Sequence, residues 1–250
     1  MKIALITGSS RGLGKSMALN LAKKGYNIII TYKTSKEKAQ DVADKIKSYG
    51  QDAIVFQLDT ENSKSFEKFS QNLRLCLKST WQAEGIDVLV NNAGIGINSS
   101  ISDTSIEEFD KLYNIHVKGV FFLTQKLLPM LNNGTSIINI SSGLTRFALP
   151  GFSAYAMMKG AIEIMTKYLA LELGNRDITV NTIAPGAIET DFAGGFVRDN
   201  KEVNTYMASQ TALGRVGKVD DIGASIATLV SNECHWINAQ RIEISGGMKL

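Results

Sequence analysis

The stretch that decides the fold is "IALITGSSRGLGKSMALNLAKKGYNIIITY", residues 3–32. An apolar strand runs directly into the glycine-rich turn "TGSSRGLG", and a segment of helical period and a second apolar strand follow. Gly8, Gly12 and Gly14 do not have the G-x-G-x-x-G spacing, and such a turn is also compatible with ordinary turn chemistry. The strand–turn–helix context nevertheless favours a dinucleotide site, because glycines let the pyrophosphate approach the backbone and free N–H groups receive its charge.

The rest of the chain repeats this alternation of strand and helix. Seven short apolar runs rich in β-branched residues are separated by longer segments of helical period. Their uninterrupted apolar character indicates strands buried on both faces of a sheet. The pattern predicts a Rossmann-type α/β fold, a doubly wound seven-stranded parallel sheet with helices on both faces. With 250 residues and no linker or repeat, we expect one domain over residues 1–250.

The composition argues against several classes of protein. No stretch approaches the roughly 18 consecutive apolar residues of a membrane span. The net charge is only +3 and the basic residues are scattered, so nucleic acid is not an expected partner. Cys76 and Cys234 are too few for a disulfide framework, and no Cys/His cluster has zinc spacing. We therefore expect a cytoplasmic protein with no metal.

The end of the second strand bears on which dinucleotide binds. Folds that prefer NAD commonly place an acidic residue there to hold the ribose 2′-hydroxyl. Here Tyr32 stands at that position, Lys33 follows it, and Arg11 lies in the glycine turn. Two cations and no anion favour the 2′-phosphate of NADP(H) over NAD(H). The alternative is that Lys33 and Lys36 are merely solvated.

A second candidate site lies in "FSAYAMMKGAIEIM", residues 152–165, where Tyr155 and Lys159 are one helical turn apart. The spacing alone is weak evidence, because such pairs are common on helix surfaces and Tyr32 and Lys36 repeat it. The surrounding motifs must decide whether the pair has a chemical role.

Those motifs resemble the short-chain dehydrogenase/reductase family over essentially the whole chain. "TGSSRGLG" is similar to the family's TGxxxGxG turn, and "NNAG", residues 91–94, to its fourth-strand motif. Ser142 with Tyr155-x-x-x-Lys159 resembles its catalytic set, and Pro185-Gly186 with Thr190 its nicotinamide clamp.

The resemblance implies an enzyme that transfers hydride reversibly between NADPH and a carbonyl or alcohol. Tyr155 would be the general acid/base, and lowering its pKa from about 10 to near 7 requires roughly 4 kcal/mol of phenolate stabilisation. Lys159 and a charged nicotinamide would supply that stabilisation. Ser142 would hold the substrate oxygen, with Ser141 structural.

The resemblance also implies the nucleotide contacts. Asp59 and Thr60 would contact the adenine, although both are compatible with an ordinary strand-end cap. Ile188 would offer its backbone to the nicotinamide. The full expected set is Gly8, Ser10, Arg11, Gly12, Leu13, Gly14, Tyr32, Lys33, Asp59, Thr60, Asn91, Ala93, Gly94, Tyr155, Lys159, Pro185, Gly186, Ile188 and Thr190.

One position departs from the family pattern. Where the family has a fourth catalytic residue, an Asn, "YNIHVKGVF" places His116, and Asn114 lies two residues earlier on another side of the helix. Register favours His116. It could replace the Asn hydrogen bond, titrate within the proton path, or simply pack without a chemical role. His235 has no comparable context, and we expect it to be structural.

The segment around 190–210 is expected to form a mobile substrate lid. It holds Phe192, Phe196, Val197, Tyr206 and Met207 among Gly, Asp and Asn residues. Phe147 and Phe152 would form the opposite wall, or else belong to the core.

Three functions are compatible with these residues. An unspecified NADPH-dependent carbonyl reductase ranks first. A 3-oxoacyl-carrier-protein reductase acting on an acyl thioester is the alternative, because "PGAIETDF", the basic Arg176 and the ending "GGM" resemble those enzymes, although residues 132–136 lack their usual cations. A regulatory protein that binds NADP(H) without turnover is the third. The resemblance also implies a homotetramer built through the two long helices and the last strand.

Overall fold

The computed structural model describes residues 1–250, and its seven strands form one sheet in which every neighbouring pair is parallel. The strand order is β3-β2-β1-β4-β5-β6-β7, which confirms the predicted fold class. The strands are β1 Lys2–Ile6, β2 Tyr26–Tyr32, β3 Ala53–Gln57, β4 Ile86–Asn91, β5 Leu131–Ile140, β6 Thr179–Pro185 and β7 Arg241–Ile244.

Nine α-helices connect and flank the strands. They are α1 Gly12–Lys23, α2 Lys36–Lys47, α3 Phe66–Trp81, α4 Ile106–Tyr113, α5 Gly119–Leu127, α6 Ser153–Leu173, α7 Phe196–Asp199, α8 Lys201–Ser209 and α9 Val219–Leu229. Between α4 and α5, residues Asn114–Lys118 form a π-helical turn. No helix is both long enough and apolar enough to cross a bilayer.

Two apolar cores lie on opposite faces of the sheet. One packs α1, α2 and α9 against β1 and β2, with Met17, Val42 and Ile226 fully buried. The other packs α3, α5 and the end of α6 against the opposite face, with Phe66 and Leu73 fully buried. Because both faces are covered, the central strands lack polar alternation, as the sequence indicated.

Strand β5 is irregular near its amino end. Asn132–Thr135 form a bulge within the strand, since Ile86 pairs with Leu131 but Val88 already pairs with Ser136. Gly134 has φ +80°, a conformation that glycine adopts without strain. The bulge lies at the amino end of β5, away from the edge where β1, β4, β5 and β6 end together.

Candidate active site

The glycine turn after β1 is held tightly against the end of β4. The Thr7 hydroxyl accepts hydrogen bonds from the backbone amides of Asn92 and Ala93, each at 2.9 Å. The Asn92 side chain donates to the carbonyls of Thr7, at 2.8 Å, and Gly8, at 3.2 Å. These bonds cross the point where the strand order reverses, the usual place for a ligand in this fold.

The turn itself fits a pyrophosphate. Helix α1 begins at Gly12 with no acidic residue in its first turn, so its free N–H groups face no competing negative charge. A Cβ on Gly14 would lie 2.4 Å from the Gly8 carbonyl oxygen, and Gly8 itself has φ +65°. Glycine is therefore required at both positions to form this narrow turn.

A single cavity of about 500 Å³ runs from this turn to the predicted catalytic residues. Ser142, Tyr155 and Lys159 all line it, together with Gly12 and Gly94. Ser142 follows β5, whereas Tyr155 and Lys159 lie in the first turns of α6 and are 6% and 5% exposed. The structure thus brings together the dinucleotide turn and the Ser/Tyr/Lys set.

Burial controls the ionisation of the two α6 residues. It raises the pKa of the Tyr155 phenol well above its usual value of 10.0, and a hydrogen bond with Ser142 opposes the rise. Burial also lowers the pKa of Lys159 to about 7. The expected lowering of the phenol pKa toward 7 involves the bound, charged nicotinamide and stays a prediction, since in the protein without nucleotide desolvation sets the direction of the shift.

Lys159 is fixed by the strand in front of it. Its Nζ donates to the Ile140 carbonyl at 2.8 Å and lies 5.5 Å from the centroid of the Tyr155 ring. The ammonium is thus held near the phenol, where its positive charge stabilises the phenolate relative to the neutral phenol. Ser141 also lines the cavity, but its hydroxyl donates to Glu163 at 2.7 Å.

His116 lies in the π-helical turn and is 1% exposed. Burial, and secondarily the Lys159 charge, holds the pKa of His116 well below its usual value. Its Nε2 lies 2.8 Å from the Ile95 carbonyl oxygen and 3.3 Å from the Ile95 amide nitrogen, and we assign the proton to Nε2 because the carbonyl at the shorter distance can only accept. Nδ1 is then a buried acceptor without a protein partner. Asn114, the alternative by residue type, does not line the cavity.

All but one of the expected nucleotide contacts line the cavity. The exception is Asn91, whose amide donates to Thr124 at 3.1 Å and Asn139 at 2.8 Å inside the fold. Its neighbour Asn92 lines the cavity instead, and sequence reasoning missed it within the same motif. Alternate side chains of a strand point to opposite faces, so only one of two adjacent asparagines reaches the crevice.

The end of the cavity beyond β2 holds both predicted cations. Arg11 is well exposed and lies 3.7 Å from one carboxylate, that of Asp191, whereas Lys33 lies 2.9 Å from both Asp59 and Glu61. Thr34 and Ser35 also line the cavity, and the Ser35 hydroxyl makes no capping bond with α2. Sequence reasoning missed these two hydroxyls, although they directly follow the quoted basic residue.

The other end of the cavity is apolar. Phe147 and Phe152 line one wall, and Phe192, Phe196, Val197 and Met207 line the other, whereas Tyr206 is 51% exposed and does not contribute. Phe192 and Phe152 lie 5.6 Å and 6.5 Å from the Tyr155 ring, measured between centroids. The segment from Phe192 to Ser209 forms short helices over this opening, in the place expected for a lid.

Two residues lie outside the cavity. Arg176 donates to the backbone carbonyls of Leu128 and Leu131, so its guanidinium is used within the fold. His235 lies 3.1 Å from Asp177, remote from the cleft.

Comparison with known proteins identifies the family. A family model described as "Enoyl-(Acyl carrier protein) reductase" matches residues 8–249. The chain is 36% identical to the 3-oxoacyl-[acyl-carrier-protein] reductase FabG of Staphylococcus aureus strain Mu50, across 99% of this chain and 98% of that one. The chain is a short-chain dehydrogenase/reductase. It is therefore an oxidoreductase acting on CH–OH and C=O groups with an NAD(P) nucleotide.

Two solved structures place this reductase beside enzymes that reduce ketones. The promiscuous reductase LugOII, which catalyses keto-reduction at C1 during lugdunomycin biosynthesis, is 35% identical with a TM-score of 0.94, covering 100% of this chain and 98% of that one. The angucycline C-6 ketoreductase LanV with bound NADP is 33% identical with a TM-score of 0.94, covering 99% and 95%.

Proposed function

We propose that this reductase transfers hydride from NADPH to the ketone of an apolar, ring-bearing small molecule, with Tyr155 as the proton donor. The observation that carries the proposal is the arrangement at the buried phenol. Ser142 and Lys159 flank it, and the aromatic rings of Phe152 and Phe192 surround it at the apolar end of the same cavity. The nucleotide would supply the hydride when bound along the glycine turn.

The chain's own residues would handle the proton and the substrate oxygen. The raised pKa of Tyr155 keeps its proton in place until negative charge develops on the carbonyl oxygen, as a general acid requires. The Ser142 hydroxyl would donate a hydrogen bond to that same oxygen. Lys159, anchored on the Ile140 carbonyl, would stabilise the phenolate left behind. In the direction of alcohol oxidation, that phenolate would be the base.

The neutral His116 would shape the site rather than titrate. Its bond to Ile95 fixes the loop after β4, and a Cβ on Gly94 would lie 2.6 Å from its Cε1. A low pKa removes the charged form near neutral pH, so we favour the hydrogen-bonding role among the three that the sequence left open.

The nucleotide is proposed to be NADP(H) in preference to NAD(H). Arg11, Lys33 and the Ser35 hydroxyl all line the end of the cavity beyond β2, and no carboxylate replaces Tyr32 there. Lys33 is paired with two carboxylates at 2.9 Å, whereas Arg11 has one at 3.7 Å, so Arg11 is expected to contribute more to the preference than Lys33.

The aromatic side chains at the apolar end of the cavity are the basis for the proposed substrate class, a ring-bearing ketone. Flat aromatic side chains favour a rigid ring system through offset and edge-to-face contacts. The identity with FabG favours the second candidate, an acyl thioester on a carrier protein. Against that candidate, the one basic residue assigned to the carrier, Arg176, is bonded to backbone carbonyls. A small free ketone is therefore ranked first.

A substrate panel tests the proposal. NADPH oxidation would be followed with 1-tetralone, acetoacetyl-CoA and ethyl acetoacetate, and kcat/KM compared. We expect 1-tetralone to be the best of the three. A clear preference for acetoacetyl-CoA would favour the carrier-protein reductase, and NADPH binding without oxidation of any probe would favour the regulatory alternative.

The lid and the assembly are also proposed. The helical segment over the cavity, residues 192–209, would close on substrate and exclude water.

Helix α6 exposes four apolar side chains that are 55–81% accessible, Met157, Ile164, Tyr168 and Leu171. Such a contiguous apolar face favours a homo-oligomer, with the tetramer as the expected state. A single domain over 1–250 and a cytoplasmic location stay predictions.

A further inference from the structure

A chain of ion pairs lies behind the segment that carries Ser142. Glu163, one turn beyond Lys159 on α6, has its Oε1 2.7 Å from the Ser141 hydroxyl, 2.7 Å from the Thr145 hydroxyl and 2.9 Å from Arg241 Nε. The side chains of Glu163 and Arg241 are 18% and 25% exposed. Neither lines the cavity.

These bonds hold Ser142 from both sides. Ser141 precedes it and Thr145 follows it, and both hydroxyls converge on the same carboxylate oxygen. Arg241 Nη2 also lies 3.4 Å from the Ser142 carbonyl oxygen and 3.1 Å from the Thr145 hydroxyl. A loop segment without such ties would sample other conformations, so the network limits where the Ser142 hydroxyl can point.

The same network continues to the end of the chain. Arg241 Nη1 lies 3.0 Å from Glu243, and Glu243 accepts two hydrogen bonds from Arg146, at 2.8 and 2.7 Å. Arg146 in turn donates to the carbonyls of Met248 and Lys249. Met248 lines the cavity, so one connected set of ion pairs and hydrogen bonds holds both the 141–145 segment and one residue of the cavity lining.

We propose that Glu163 and Arg241 are positioning residues that hold the Ser142 hydroxyl toward Tyr155, an inference that rests on the proposed function. Their contribution passes through the backbone and hydroxyls of the 141–145 segment. Breaking the network leaves Tyr155 and the nucleotide site in place. We therefore expect kcat to fall while the Kd for NADPH is unchanged.

The first test separates positioning from simple stabilisation. Arg241→Leu leaves the partly buried Glu163 without an ion-pair partner, and Glu163→Leu leaves Arg241 paired with Glu243 alone. The double variant replaces both charges with apolar groups. We expect each single variant to lose thermal stability and about 10-fold in kcat for 1-tetralone, with Kd for NADPH unchanged. The double variant should regain stability but not kcat. Recovery of kcat together with stability would overturn the proposal, because the network would then be structural only. Glu172→Leu, on the exposed face of the same helix, is the matched control.

The second test asks whether the effect passes through Ser142. Glu163→Gln would be combined with Ser142→Ala in a double-mutant cycle. We expect the loss in kcat seen in the wild-type background to disappear when Ser142 is already absent. An equal loss in both backgrounds would overturn the proposal. A wild-type chain that reduces no ketone would overturn the proposed function along with this inference, whereas active wild-type protein with unaffected Glu163 variants would overturn this inference alone.

Discussion

The imidazole of His116 meets the ring of Tyr155 edge-on, with centroids 5.3 Å apart and planes at 89°. His116 is thereby packed against the proposed proton donor while its Nε2 is bonded to Ile95. The arrangement makes two substitutions informative.

His116→Asn should leave activity within about threefold and the pH profile of kcat unchanged, because an amide can also donate to the Ile95 carbonyl. His116→Leu should cost about 1–3 kcal/mol of stability, since it leaves that carbonyl buried and unpaired. Steady-state pH profiles and urea unfolding would check both. Loss of a pH limb near neutrality in His116→Asn would instead show that the histidine titrates during turnover.

The low pKa of Lys159 predicts a pH dependence of stability. Folded protein releases this proton near pH 7, whereas the unfolded chain keeps it up to about 10.5, so the unfolded state binds more protons between these values. Stability contributed by this site is therefore lowest below pH 7 and rises with pH, by about 2 kcal/mol between pH 7 and 9.

Lys159→Met removes the titrating group and isolates this effect. The free energy of unfolding of the nucleotide-free wild type, minus that of Lys159→Met, should climb from pH 7 to pH 9. Urea denaturation at both pH values measures it. Parallel pH dependences for the two proteins would contradict the assignment of a depressed lysine pKa.

The narrow glycine turn predicts that Gly14→Ala is damaging. Its Cβ would lie 2.4 Å from the Gly8 carbonyl oxygen, and neither backbone segment can move without disturbing the nucleotide site. We expect a loss of about 1–3 kcal/mol in stability and at least about 10-fold weaker NADPH binding. Fluorescence titration of NADPH would measure the latter. Gly174→Ala, whose Cβ would meet nothing within 4 Å, is the control and should change neither quantity.

The cations beyond β2 predict the nucleotide preference. Arg11→Ala should lower kcat/KM for NADPH by about 10-fold or more and leave that for NADH nearly unchanged. Lys33→Ala should have a smaller effect, because Asp59 and Glu61 already pair with it. Lys36→Ala, on the first residue of α2 and outside the cavity lining, should have none. Equal use of NADH and NADPH by the wild type would contradict the preference.

The sheet could be predicted from the sequence because strands that are buried on both faces consist of continuous apolar runs. Runs such as residues 28–30 are apolar at successive positions that face the two cores in turn, so the strands, the order of elements and the parallel pairing could be inferred without contacts. The sequence also selected the residues at the cavity, since Gly12, Ser142 and Tyr155 belong to motifs of fixed spacing.

What the sequence could not give were properties that depend on side-chain direction and on distant partners. Asn91 and Asn92 are adjacent, and only the geometry of β4 shows which one faces the cavity. Arg176 looked like a surface cation, but its partners are backbone carbonyls more than 40 residues away. Glu163 and Arg241 are separated by 78 positions, so neither has a local signal of its role. The pKa of Tyr155 likewise reflects burial, which no spacing reports.

The most direct test of the central claim is a single-turnover measurement of NADPH oxidation with 1-tetralone, comparing wild-type protein with Tyr155→Phe. Both proteins should bind NADPH with the same Kd, because the glycine turn and Lys159 are intact. The wild type should oxidise the bound nucleotide, and the variant should be slower by at least about 100-fold, since the phenol proton is missing. Oxidation at the wild-type rate in Tyr155→Phe would contradict the assignment of this phenol as the proton donor.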